Sequence, residues 1–134
     1  MPERCVIVVD EALPPGRAAN AAAVLALTLG AREPALIGPD LVDADDRVHP
    51  GLFPAGLPVL KATSERLAAL RDGADSAGVE VIAMPRFGQE TNDYDAVRAE
   101  VARTPASELR FVGVALYGDR RPVGRLTGNL ALLR

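Results

Sequence analysis

Hydrophobic residues along the chain form short, often β-branched runs, separated by longer segments with helical spacing. Strands are predicted at residues 4–9, 59–61, 79–84 and 111–117. Compact apolar runs of this kind are typical of strands in a buried sheet. Residues 36–37 are a weaker candidate for a further short strand. The chain then turns into Leu41 and Val42, makes a tight turn at residues 43–46, and is predicted as loop up to Pro58 because of its prolines and glycines.

Helices are predicted between the strands from the spacing of apolar residues and from the residues that begin and end them. The predicted helices run from Pro15 to Gly30, from near Ser64 to Gly78, over about a dozen residues capped by Thr91 or Asn92, and over residues 122–126. Strands that alternate with helices indicate an α/β fold. We expect one domain over residues 1–134, with a largely parallel or mixed sheet covered on both faces and right-handed crossovers.

Composition supports a single compact domain inside the cell. The 134 residues are 49% hydrophobic, which is enough to build a core without disulfides or metal. The only cysteine, Cys5, lies in the first predicted strand and fits a reducing cytoplasm. No apolar run approaches the ~18 residues of a membrane span, and the first residues lack the charged-then-apolar order expected of a signal peptide. The sequence therefore predicts a cytoplasmic protein without a membrane partner.

The charge of the chain argues against a nucleic-acid partner. Net charge is -3, whereas binding to phosphates needs clustered cations. Residues 110–134 are locally basic, with five arginines against Asp119 alone. Exposed arginines need no functional reason, so these are interpreted as solvated surface charges rather than as an anion site.

A single amide interrupts the first predicted helix. Residues 18–27 are apolar except for Asn20, and a helix that is apolar nearly all round is normally buried. A buried amide without partners costs about 1–3 kcal/mol. Asn20 is therefore predicted to be either a structural clamp or part of a site.

Ligands of α/β sheets bind beyond the carboxyl ends of the strands, and this rule selects residues 10–17, 85–92 and 118–121. In the first loop, Gly16, Arg17 and the N-terminus of the helix form a candidate anion cradle, although any helix start has similar features. The second loop carries Arg86, Gln89 and Thr91, and its alternative interpretation is an ordinary capped turn. If Gln89 or Asn92 faces Asn20, the amides could orient a carbonyl or a water, without a general base.

Other chemically suggestive residues have simpler interpretations. The acidic cluster at residues 40–46 lacks the glycine turn and distant glutamate of a calcium loop and is predicted to be a solvated turn. His49 is the only histidine and cannot build a His-rich metal site. The sequence calls for no metal and no cofactor, and it contains no recognisable catalytic triad.

Several segments together resemble a known family. They are residues 8–11, 13–22, 38–40, 91–94, 113–118 and 126–133. The chain resembles, over nearly its whole length, the family called domain of unknown function 2000, whose members are similar in fold to the peptidyl-tRNA hydrolase II enzymes. The similarity to the enzymes themselves rests mainly on the entry into the first helix and on the Thr-Gly-Asn-Leu ending.

The resemblance implies a three-layer α/β/α domain around a four-stranded mixed sheet, commonly paired as a homodimer. It does not carry the hydrolase activity across. Where the enzymes have lysines before the first helix, this chain has Pro14, Pro15, Gly16 and only Arg17. The helix keeps an amide at Asn20 but has no histidine after it. The aspartate of the enzymes' Asp-Ala-Gly-x-Thr-Gln signature is lost, while its glutamine is matched by Gln89.

Three hypotheses follow for the function. The leading one is binding of a small polar or anionic ligand in a cleft; its residues are Gly16, Arg17, Asn20, Arg86, Gln89 and Thr91. The second is a hydrolase of an ester or amide bond, in which Asp10, Asp93 or Asp119 lies in that cleft with a raised pKa. The third is a non-catalytic dimeric interaction module, in which Asn20 is satisfied by its own neighbours and no cleft exists.

Overall fold

The computed structural model describes residues 3–134. The strands are β1 (Glu3–Asp10), β2 (Leu41–Val42), β3 (Val48–His49), β4 (Val59–Ala62), β5 (Glu80–Pro85) and β6 (Phe111–Asp119). The α-helices are α1 (Pro15–Arg32), α2 (Ser64–Ala77), α3 (Tyr94–Ala102) and α4 (Arg120–Thr127). The main sheet has the order β4-β1-β6-β5. β1 and β4 are parallel, while β6 is antiparallel to both β1 and β5. The predicted α/β fold with a four-stranded mixed sheet is confirmed.

Alternate residues of the central strands supply two hydrophobic cores, one on each face of the sheet. Val6, Val8 and Leu116 pack with α2 and α4, including Leu67 of α2. Ile7, Val9 and Ala115 pack on the other face, mainly against α1. This alternation follows from the two-residue period of a strand, which points successive side chains to opposite faces. The sheet therefore lies between two helical layers. Among residues 3–134, no helix combines the length and the apolar character that a membrane span requires.

Helix α1 is longer and more exposed than predicted. It continues through Gly30 to Arg32 and buries only one stripe, of which Ala21 and Leu25 are the most enclosed. Asn20 lies on the exposed side, so the prediction that it is buried was wrong. The physical reason is the alanine content of the helix: alanine is a strong helix former whose small side chain loses little by exposure.

The segment at residues 37–56, named the arm below, contains no buried residue. The strand predicted at residues 36–37 was wrong, because Pro34–Leu36 is a 3₁₀ turn. The loop predicted up to Pro58 was wrong in part, because Val48–His49 pairs with Leu41–Val42 as a separate hairpin. Asp46, with a φ of 62°, helps the chain to reverse within the intervening turn.

The entry into α3 differs from its prediction in the capping residue. Asp93 is the N-cap, and its Oδ1 accepts hydrogen bonds from the N–H groups of Asp95 at 3.0 Å and Ala96 at 3.3 Å. Thr91 Oγ instead accepts from the N–H of Asp93 at 3.1 Å, so neither Thr91 nor Asn92 caps the helix. A carboxylate is favoured here because it also interacts with the positive end of the helix dipole.

One of the three predicted binding regions lies at the wrong edge of the sheet. Residues 118–121 comprise the end of β6 and the start of α4, and β6 runs antiparallel to β1 and places Asp119 opposite Glu3. The carboxyl end of β6 is therefore at the amino end of β1, far along the sheet from Asp10. The loops after β1 and β5 do share an edge, because two antiparallel pairings make these two strands run in the same direction.

Candidate functional site

A cleft of about 950 Å³ opens between α1 and α3, with β5 as its floor. Its volume falls within the range typical of small-molecule sites, about 300–1,000 Å³. The lining residues are Gly16, Arg17, Asn20, Val24, Leu25, Thr28, Ile82, Ala83, Met84, Pro85, Gly88, Gln89, Thr91, Asn92, Tyr94, Val97, Arg98, Val101 and Ala102. The cleft hence lies beside an edge strand, and helices form its two walls.

Five of the six residues predicted for a binding site line this cleft. They are Gly16, Arg17, Asn20, Gln89 and Thr91. Arg86 was predicted with them but is not a lining residue. Its Nη2 lies 3.5 Å from Oδ2 of Asp10, a carboxylate of which 8% is exposed. The attraction of this nearly buried charge explains the direction of the Arg86 side chain.

Gln89 connects the loop after β5 to α1. Its Nε2 donates to the backbone oxygen of Arg17 at 2.8 Å and to Oδ1 of Asn20 at 3.2 Å. Because a carbonyl can only accept, the contact with Arg17 fixes which end of the Gln89 amide faces α1. The predicted group of amides is therefore present, with Gln89 rather than Asn92 bonded to Asn20. Gln89 Oε1 is buried and finds no hydrogen-bond partner within residues 3–134.

The electrostatic character of the cleft is opposite to that of the chain as a whole. The chain has 18 acidic residues and a net charge of -3. The lining nevertheless includes Arg17 and Arg98 and, as far as residues 3–134 are concerned, no Asp or Glu. Arg98 has a weak and exposed partner, Oδ1 of Asp95 at 3.8 Å from its Nη1. The arrangement favours an anionic rather than a cationic ligand.

The start of α1 adds main-chain donors to this end of the cleft. Pro14 is the N-cap, and no side chain of residues 3–134 caps the first turn. Pro15 has no N–H, so the first donors of the helix are those of Gly16 and Arg17. Both residues line the cleft. Together with the helix dipole, these groups reinforce the attraction for a negative charge.

None of the three carboxylates proposed for hydrolysis lines the cleft. Oδ1 of Asp10 accepts from the N–H of Ala12 at 2.9 Å, and its other oxygen faces Arg86. Asp93 caps α3, and Asp119 lies at the opposite edge of the sheet. The condition on which the hydrolase hypothesis depended, an acid in the same cleft, is thus not met by these residues.

The acidic turn in the arm is organised around Asp43. Oδ1 accepts from the N–H groups of Asp45 at 2.9 Å and Arg47 at 3.0 Å, and Oδ2 lies 2.9 Å from Nε2 of His49. The hydrogen bond with His49, then those from the two backbone groups, holds the pKa of Asp43 below its usual value. These contacts stabilise the turn itself. Residues 3–134 contain no group of three or more His, Cys, Asp or Glu side chains placed to bind a metal ion.

Cys5 is buried in β1 and is not a reactive thiol. Burial, followed by the nearby charges of Glu3 and Glu33, raises the pKa of Cys5 to about 11. At neutral pH the thiolate is scarce, and the thiolate is the nucleophilic form. The residue therefore behaves as the small hydrophobic side chain that the sequence predicted.

The sequence did not reveal that α3 forms one wall of the cleft. Tyr94, Val97 and Val101 have helical spacing, and α3 contains no buried residue. These side chains line the cleft instead, together with Arg98. Helical periodicity identifies an apolar face but does not reveal whether that face covers a core or an open cleft.

Known proteins support the fold and the family but name no activity. No curated protein matches the chain in sequence. A solved structure of a protein of unknown function from Agrobacterium tumefaciens is similar with a TM-score of 0.90 and 19% identity, over 98% of each chain. The profile described as "Protein of unknown function (DUF2000)" matches residues 3–134. The chain belongs to the DUF2000 family.

Proposed function

We propose that the cleft between α1 and α3 binds a small anionic or polar ligand. The observation that carries this proposal is the charge of the lining. Among residues 3–134 the lining contains Arg17 and Arg98 but no Asp or Glu, although the chain has a net charge of -3. A cleft that excludes carboxylates in this way raises the local concentration of anions. This supports the leading hypothesis drawn from the sequence, with one residue removed from it. Arg86 faces Asp10 and is not assigned to the ligand.

Each remaining residue is assigned a role that its chemistry supports. The guanidinium of Arg17 supplies charge and hydrogen-bond donors, and the N–H of Gly16 adds a main-chain donor. Asn20 uses its oxygen to accept from Gln89, which leaves its amide nitrogen as the group that orients the ligand. Thr91 contributes a hydroxyl group from the opposite wall.

A library screen tests this function. Ligands that bind only the folded protein raise its unfolding midpoint, so thermal unfolding is measured with a panel of metabolites and nucleotides. We expect anions to raise the midpoint for the native protein and for Arg121→Ala, a control on the exposed surface of α4, but not for Arg17→Ala. Hits restricted to cations, or hits unaffected by Arg17→Ala, would contradict the proposal.

We also propose that the chain adopts the peptidyl-tRNA hydrolase II-like fold. A four-stranded mixed sheet between two helical layers supports the peptidyl-tRNA hydrolase II-like fold expected from the resemblance. The hydrolase activity has less support, because Asp10, Asp93 and Asp119 all lie outside the cleft lining.

No nucleic-acid partner is proposed, given the net charge of -3. A free, buried Cys5 supports the cytoplasmic location.

The arm favours a second function, homodimerisation. Leu41, Val42 and Val48 are each more than half exposed, and within residues 3–134 the two-stranded hairpin that carries them pairs with no other strand. A lone hairpin in water is marginally stable, so an apolar surface on it gains by being covered. We propose a second copy of the chain as the covering partner.

Sedimentation equilibrium tests the dimer. We expect the native protein to be a dimer at micromolar concentration and Val42→Asp to be a monomer. Leu27→Asp provides a matched control, because Leu27 is another exposed apolar residue but lies on α1. A native protein that is monomeric at these concentrations would overturn the proposal for the arm, without affecting the proposal for the cleft.

A further inference from the structure

The apolar surface of α3 faces open space rather than a core. Tyr94 is 74% exposed, Val97 and Val101 are half-buried, and all three line the cleft. The opposite wall is also apolar over its middle turns, where Val24 is 38% exposed. Apolar side chains on two facing walls gain free energy when an apolar group fills the space between them.

The floor of the cleft continues this apolar surface. Ile82 and Met84 point from β5 to the α1 side of the sheet, where they pack with the core on that face. Ala83 packs with the core on the other face, so it contributes mainly main-chain atoms to the cleft. An occupant therefore meets hydrocarbon below it as well as on both sides.

Polar and apolar groups are separated along the cleft. The hydrogen bonds of Gln89 to Arg17 and Asn20 show that the loop leading to α3 lies beside the first turns of α1. The polar groups Gly16, Arg17, Asn20, Gln89, Thr91 and Asn92 all come from these two regions. Farther along the two helices the lining is mainly apolar, with Thr28 and the exposed Arg98 as its polar members. The stretch of α1 from Arg17 to Thr28 is about 16 Å long at 1.5 Å per residue.

We infer that the ligand is an amphiphilic anion, with a single negatively charged head at Arg17 and an apolar body that lies along Val24, Ile82 and Val101. This inference rests on the proposed function and specifies its ligand class. Purely polar anions would leave the apolar half of the cleft wet, whereas neutral hydrocarbons would leave Arg17 and the donors of α1 without a partner. An amphiphile satisfies both halves, and its length is set by the apolar stretch.

Calorimetric titration with straight-chain carboxylates tests the inference. The probes are butanoate, hexanoate, octanoate and decanoate, each below the concentration at which it forms micelles, with alkylammonium ions of equal length for comparison. Affinity for the carboxylates should rise with each methylene by up to about fourfold, the factor for burying one such group completely. The alkylammonium ions should bind more weakly than the carboxylates of the same length.

Two variants separate the head site from the body site. Arg17→Ala should weaken all four carboxylates by a similar factor. Val101→Asp should bring decanoate down toward the affinity of butanoate and weaken butanoate much less. Leu27→Asp places the same new charge at an exposed position outside the cleft lining and serves as its control. Because Val101 is only half-buried, the variant is expected to fold, and circular dichroism checks this.

The outcomes distinguish this inference from the proposed function. Carboxylates that bind through Arg17 with no dependence on chain length would overturn the amphiphile and leave the anion site standing. Chain-length dependence that persists in Val101→Asp would place the apolar body elsewhere and overturn the inference too. If no carboxylate binds at any length, the inference is wrong, and the library screen with Arg17→Ala decides the proposed function separately.

Discussion

Gln89 donates a hydrogen bond to Oδ1 of Asn20 over 3.2 Å and, with the same nitrogen, to the backbone oxygen of Arg17 over 2.8 Å. These contacts join a loop and a helix that are about seventy residues apart in sequence. They also lie at the polar end of the cleft. Gln89 therefore links the loop that leads into α3 to the first turns of α1, where the charged head of a ligand is expected. The amide of Asn20 is a linking group at the surface and not a buried clamp.

Substitution of Gln89 should show which of its two amide ends matters. Gln89→Leu removes two exposed hydrogen bonds together with the buried, unpartnered Oε1, so the loss in unfolding free energy should stay below about 1 kcal/mol. Gln89→Glu places a charged acceptor against the oxygen atoms of Arg17 and Asn20 and should cost more than Gln89→Leu. Urea unfolding at neutral pH measures both. Equal stability of Gln89→Glu and the native protein would show that the observed bonds contribute nothing.

Asn20→Ala should affect binding more than stability. Because Asn20 is exposed, its removal should lower the unfolding free energy by less than about 1 kcal/mol, well below the cost of a lost buried polar contact. The affinity for an anionic ligand should fall, since an orienting group is lost. Ser76→Ala, at an exposed position of α2 outside the cleft lining, provides the control for binding. A large stability loss without a binding effect would return Asn20 to a purely structural role.

Gly113 allows α1 to approach the sheet closely. A Cβ at this position would lie 3.0 Å from Cδ1 of Leu25 and 3.0 Å from the backbone oxygen of Val8. The neighbouring strand cannot move away without disturbing its pairing, so Gly113→Ala should destabilise the protein by about 1–3 kcal/mol. Gly30→Ala is the matched control: a Cβ there meets nothing within 4 Å, and alanine in a helix gains about 0.5–1 kcal/mol. Chemical denaturation should therefore give changes of opposite sign.

The arm should loosen at acid pH through Asp43. Its folded-state pKa is lowered, chiefly by the hydrogen bond with His49, so the charged form is favoured by folding. The stabilisation is fully present above about pH 4, the ordinary range of an aspartate, and is lost as pH falls through the lowered pKa. Amide NMR signals of Asp45 and Arg47 should report this titration. In Asp43→Asn they should show no such step, whereas an unchanged profile in that variant would assign the titration to another group.

The sequence predicted most of the fold because the signals were local. The β-branched runs at β1 and β6 and the glycine that ends α2 act through their own conformational preferences. Gly78, at φ 69°, occupies the left-handed position for which glycine is favoured. Gly16, Arg17, Asn20, Gln89 and Thr91 could also be selected, since the rule about strand ends depends only on strand direction.

The remaining features depend on contacts between distant segments. Whether the alanine-rich α1 is buried all round is decided by how much of it the sheet can cover, which its own sequence does not encode. Arg86 was assigned to the site because it lies near Gln89 in sequence, whereas its side chain is held by Asp10. Val97 and Val101 carry the same helical signal whether they face a core or a cleft. The exposure of the arm could not be predicted, because it depends on whether other segments of the chain pack against it.

Amide chemical-shift mapping with decanoate directly tests whether an anion with an apolar body binds between α1 and α3. We expect the perturbed amides to cluster in three places: the first turns of α1, the end of β5 with the loop around Gln89, and the cleft face of α3. Residues of the arm and of α4 should remain unperturbed. Perturbations confined to the arm, or scattered without relation to the cleft, would contradict binding between α1 and α3.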